Sequence, residues 1–124
     1  AYCTYLLMKE YQIQIKIINH LKSKKLSKLR FFHVPNQGVR SIKYKSLLTK
    51  MGLKAGCPDL VLEFKNGRIV YIELKTKSGA LSVSQKLWKL TSISLNTPYY
   101  LIKYSNFISV QKELDEILKK HYQV

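Results

Sequence analysis

Residues 56–75 carry the pattern that most restricts what this chain can fold into. Residues 60–64 and 69–74 are runs rich in Val, Ile, Leu and aromatic side chains, separated by a turn that contains Asn66-Gly67. Both residues tolerate the positive φ angles of a type I′ turn, so the segment reads as two antiparallel strands closed by a tight two-residue hairpin. Side chains alternate along a strand, which puts Tyr71, Glu73 and Lys75 on one face and Val70, Ile72 and Leu74 on the other. Asp59 opens the first strand, where pairing brings its carboxylate towards Glu73. Two carboxylates and an amine then meet at one edge of a small sheet.

That grouping has a chemical use. Magnesium and similar hard cations take oxygen ligands and are held by one or two carboxylates plus phosphate oxygens. A lysine beside them can hold a nucleophilic water or offset negative charge as it develops. The chemistry implied is hydrolysis of a phosphodiester.

Charge points the same way. The chain has 124 residues and carries 22 Lys and Arg against 7 acids, a net charge of +15 that calls for a polyanionic partner such as nucleic acid. On a surface built for phosphate a carboxylate repels its ligand unless a cation stands between them, so acids retained there imply a metal. The length accommodates one core, and residues 1–124 are expected to form a single domain. No stretch has the profile of a membrane span or a signal peptide, which leads to the expectation of a soluble intracellular protein of the cytoplasm or nucleus, without membrane partners. Cys3 and Cys57 have no second pair and read as unpaired thiols in a reducing compartment.

Along the chain, residues 6–26 carry both a strand-like alternation at 11–17 and a helical face made by Glu10, Gln14, Ile17 and Leu21. Their length and lack of Gly or Pro favour a helix, in which Glu10 is either a first-turn acid favoured by the helix dipole or a site residue. A basic connection over 22–30 leads to a short strand at 31–34. Residues 44–51 predict a short helix with Leu47, Leu48 and Met51 as its buried side, ended by Gly52 and Gly56. His20, His33 and His121 lack ligand spacing and read as surface or packed histidines. After the hairpin comes a basic loop at 76–79 and a helix over 82–95 whose core face is marked by Leu81, Trp88 and Leu95. Gln85 falls on that stripe too, either exchanging capping bonds with Ser82 or reaching the Glu73–Lys75 edge. A strand at 99–103, apolar on both faces as an interior strand is, and an amphipathic helix at 110–121 with Val110, Leu114, Ile117 and Leu118 inward complete the chain. The expected fold is α/β, a small mixed sheet flanked by helices.

The succession Gly56-Cys57-Pro58-Asp59 and Ile72-Glu73-Leu74-Lys75 resembles the signature of the PD-(D/E)xK nucleases, metal-dependent phosphodiesterases with a restriction-endonuclease-like core. More closely, Pro35-Asn36, Arg40-Ser41, Gly52 to Leu60, Glu73-Leu74-Lys75 and Leu81-Ser82 to Gln85 resemble the VRR-NUC family of virus-type replication-repair nucleases. The resemblance runs from about Glu10 to Leu101. It implies that Asp59 and Glu73, with the main-chain carbonyl of Leu74, hold Mg²⁺ or Mn²⁺, and that Glu10 helps hold the metal or its waters. It further implies that Lys75 orients the attacking water or offsets transition-state charge, that Gln85 supports the site from the next helix, and that Asn36 and Arg40 contact DNA; Lys77 in the basic loop beside Lys75 is a further expected DNA contact. Members made of this domain alone are similar to Holliday-junction resolvases, act on branched DNA and pair as homodimers. The alternative is a basic nucleic-acid-binding module without catalysis.

Overall fold

A computed structural model describes residues 8–35 and 41–123. Eight regular elements follow one another as α1 (Glu10–Ser23), β1 (Leu29–His33), α2 (Ile42–Lys50), β2 (Leu60–Phe64), β3 (Arg68–Thr76), α3 (Val83–Ser94), β4 (Tyr99–Tyr104) and α4 (Phe107–His121). The four strands form one sheet in the order β1-β2-β3-β4. The first three pair antiparallel, and β4 runs parallel to β3 after the crossover through α3. The fold is the expected small mixed sheet flanked by helices.

The hairpin forms between β2 and β3, with Leu60 opposite Ile72 and Phe64 opposite Arg68. Its turn is one residue longer than the Asn-Gly pattern predicts. Lys65–Gly67 make a 3₁₀ turn in which Asn66 and Gly67 both take positive φ, 67° and 72°. The dipeptide supplies the left-handed conformations expected of it, but the strand register leaves Lys65 in the loop as well.

One face of the sheet carries the core. Leu60, Leu62 and Phe64 of β2, Val70, Ile72 and Leu74 of β3, and Ile102 and Tyr104 of β4 pack against Ile13, Ile17 and Leu21 of α1 and against Val110, Leu114, Ile117 and Leu118 of α4. The spacing i, i+4, i+8 in α1 places its three aliphatic residues in a single stripe, so the helical period rather than the alternation at 11–17 decides the conformation. His20 Nε2 lies 2.7 Å from Asp115 Oδ1 and ties α1 to α4. His121, also buried, meets the Tyr100 hydroxyl at 2.6 Å. Both are packed histidines, as their lack of ligand spacing suggests.

Three packing expectations are overturned. Residues of α2 are nowhere buried, and Leu47 and Met51 face solvent, because no described element covers that side of the helix. In α3 the heptad spacing misleads: Leu95 is exposed past the helix end, while Gln85, Trp88 and Ser92 turn towards the sheet. Val83, Leu87 and Leu90 make an apolar stripe on the outside. Finally, β4 is an edge strand among the described residues, not an interior one. Helices lie over both of its faces, which produces the same apolar run that an interior position would.

Candidate metal centre

The end of the sheet where β2 begins and β3 finishes gathers the polar residues. Continuing the β2–β3 register one step puts Asp59 across from Glu73 on the face opposite the core. Asp59 is 8% exposed and Glu73 2%, unusual burial for two carboxylates. The Asp59 Oδ2 accepts a 2.7 Å hydrogen bond from the Leu74 backbone N–H, which locks the carboxylate against β3. Behind it, the Asp59 carbonyl accepts from the Val34 N–H at 3.0 Å and from His33 Nδ1 at 2.9 Å. Since a carbonyl only accepts, the proton of His33 sits on Nδ1. His33 thus anchors the backbone of Asp59, a role no spacing in the sequence announces.

Gln85 performs both of the tasks between which the sequence leaves the choice open. Its Oε1 accepts from the Ser82 N–H at 2.8 Å, while Ser82 Oγ accepts from the Gln85 N–H, closing a capping box at the start of α3. Its Nε2 donates to Glu73 Oε1 at 2.9 Å. An amide has a donor end and an acceptor end, so one side chain serves helix and carboxylate together. Gly56 brings the two parts close. It adopts φ 83°, and a Cβ there would collide with the Ser84 carbonyl, so only glycine lets the loop before Asp59 lie on the first turn of α3.

Glu73 feels this setting strongly. Burial, and then the negative charge of Asp59, push its carboxyl up to about 8, with Lys75 working in the opposite direction. Its Oε2 is buried and has no hydrogen-bond partner among the described residues. A buried carboxylate oxygen without a donor, beside a second buried carboxylate, is what a cation would satisfy. No three His, Cys, Asp or Glu among the described residues stand close enough to hold a metal alone. Two carboxylates offer oxygen donors here, the chemistry that suits a hard cation able to keep waters and take substrate oxygens.

These groups line a cleft of about 410 Å³ that also receives Glu10, Lys75, Ser84 and Tyr104. Glu10 arrives from the other side of the sheet, as the first residue of α1, where the helix dipole favours an acid. Burial, and then the charges of nearby Glu10 and Asp59, push the ionisation of the Tyr104 phenol to higher pH than usual. Tyr104 and Cys57 join the lining without having been singled out from the sequence. Lys77 is exposed in the turn after β3, outside the lining. Asn36 and Arg40 lie outside the described residues.

Comparison with known proteins gives two matches. A family model described as the VRR-NUC domain matches residues 8–103. A solved structure titled "VRR_NUC domain protein" superposes with a TM-score of 0.69 at 19% identity, covering 94% of this chain and 93% of its own. At that identity the superposition speaks for the fold. No curated protein matches.

Proposed function

Because the chain belongs to the VRR-NUC domain family, a family of nuclease type, we propose that it is a Mg²⁺- or Mn²⁺-dependent DNA endonuclease working as one nuclease domain on branched DNA such as Holliday junctions. The observation that carries this reading is the buried Asp59–Glu73 pair with Glu73 Oε2 left without a partner.

Asp59, Glu73 and the Leu74 carbonyl would hold the cation, with Glu10 reaching it or its waters. When bound, the cation polarises the phosphoryl group and lowers the pKa of a coordinated water. Lys75, half-buried in the cleft, orients the attacking water or offsets charge at the phosphorus. Gln85 keeps the Glu73 carboxylate from turning. Lysines and arginines such as Lys77 bind phosphates, with Asn36 and Arg40 as further DNA contacts, so affinity falls steeply as salt rises. A two-fold homodimer would present two clefts to the two strands of a junction. The uncovered stripe of Val83, Leu87 and Leu90 supports such pairing, as a contiguous apolar face on so basic a chain otherwise lacks a purpose.

The test is cleavage of junction, flap and linear DNA with and without Mn²⁺. Wild type cuts only with the metal and favours the junction, and Lys75→Ala lowers the rate about 10²- to 10³-fold. A wild type that binds DNA salt-dependently but cuts none of the three substrates would leave the non-catalytic binding module as the reading.

A further inference from the structure

A second buried polar atom lacks a partner on the site's face of the sheet. Tyr99 begins β4 directly opposite Tyr71, so its ring stands on the same face as Tyr71 and Glu73 and one diagonal step from Glu73. Its hydroxyl, like Glu73 Oε2, is buried with no hydrogen-bond partner among the described residues. Tyr71 next to it packs against Trp88 in a T-shaped arrangement, with ring centroids 5.8 Å apart. Buried phenols nearly always find an acceptor, so two neighbouring orphans on one face call for a single explanation.

We propose that Tyr99 is a positioning residue for the metal centre, its hydroxyl donating to Glu73 Oε2 when that carboxylate turns to a cation. This rests on the metal-dependent reading above. A carboxylate oxygen has two lone pairs, so one can face the cation while the other accepts from the phenol, and Gln85 holds the second oxygen. Glu73 would then be gripped at both oxygens, leaving one orientation. Burial, and then the charges of Glu73 and Asp59, hold the Tyr99 phenol protonated to higher pH than usual, which keeps it a donor. Partners of this kind behind a metal ligand typically govern affinity by 10- to 100-fold.

The experiment is calorimetric titration of wild type, Tyr99→Phe and Tyr100→Phe with Mn²⁺, together with melting of each metal-free protein. Tyr100 shares a hydroxyl hydrogen bond with His121 on the core face and serves as the structural control. Tyr99→Phe is expected to bind Mn²⁺ about tenfold more weakly while its metal-free melting temperature stays level or rises, because an unpartnered hydroxyl has been removed. Tyr100→Phe should do the reverse, melting earlier with unchanged Mn²⁺ affinity. Equal Mn²⁺ affinity in wild type and Tyr99→Phe overturns the inference alone. A metal-free Tyr99→Phe that melts as early as Tyr100→Phe makes the hydroxyl structural and also overturns it. If wild type itself takes up no Mn²⁺, the metal-dependent reading fails and this inference with it.

Discussion

The two faces of the sheet solve opposite problems. Under α1 and α4 the inward positions, apart from the single buried His121, are aliphatic or aromatic and are filled from several elements at once. Under α3 the inward positions are Gln85, Trp88 and Ser92, and what they cover is Tyr71, Glu73 and an unpartnered phenol. One face gains stability from burial; the other holds charge and unsatisfied polar atoms that only a ligand would satisfy. Stability and reactivity are therefore separable by substitution, one face at a time.

The largest effect expected to sharpen that contrast is at Glu73. Glu73→Gln should abolish metal-dependent cleavage and yet make the metal-free protein more stable by about 1–3 kcal/mol at pH 8, read by chemical denaturation. The sign follows from the raised carboxyl. The unfolded chain gives up this proton above about 4.5 and the folded chain only near 8, so wild-type stability declines as pH rises between those values. A variant that melts earlier than wild type at pH 8 would break the contrast. On the core face, Leu114→Ala should destabilise by about 2–5 kcal/mol with unchanged activity per folded molecule, whereas Leu87→Ser on the outer stripe of α3 should stay within about 0.5 kcal/mol for the monomer. A further effect, on the acid limb, concerns His121. Burial first, then Arg68 and Lys120, depress its protonation below the usual 6.5. The unfolded chain takes up that proton more readily, so stability falls as pH drops below about 6.5. His121→Gln should flatten this acid limb and leave the alkaline one, while Glu73→Gln does the converse; melting curves from pH 5 to 8 distinguish them.

The sequence makes the core face and the carboxylate pair readable for the same reason. Strand alternation puts Glu73 on the polar face, but the Asn66-Gly67 dipeptide by itself gives a register one residue off, and it is the extra turn residue Lys65 that carries Asp59 across from Glu73. What alternation cannot supply is knowledge of what covers a helix. Leu47 and Met51 in α2 and the leucines of α3 have the spacing of buried residues, but amphipathicity specifies only that a face is apolar and not that this chain buries it. His33 and Tyr99 stayed invisible because their significance lies in neighbours from other strands, Asp59 and Glu73. Gln85 was legible as a pair of alternatives, since spacing gives the two possible partners without revealing that the two ends of an amide can satisfy both.

That shared amide makes Gln85 a gauge of fit between α3 and the sheet. Its two side-chain bonds, at 2.8 and 2.9 Å, lie on opposite ends of one rigid plane, and a hydrogen bond tolerates only a few tenths of an ångström before it weakens. If the helix slides, either its first turn comes undone or Glu73 is dragged along. The first turn of α3 and the Glu73 carboxylate are thereby tied to each other through one side chain.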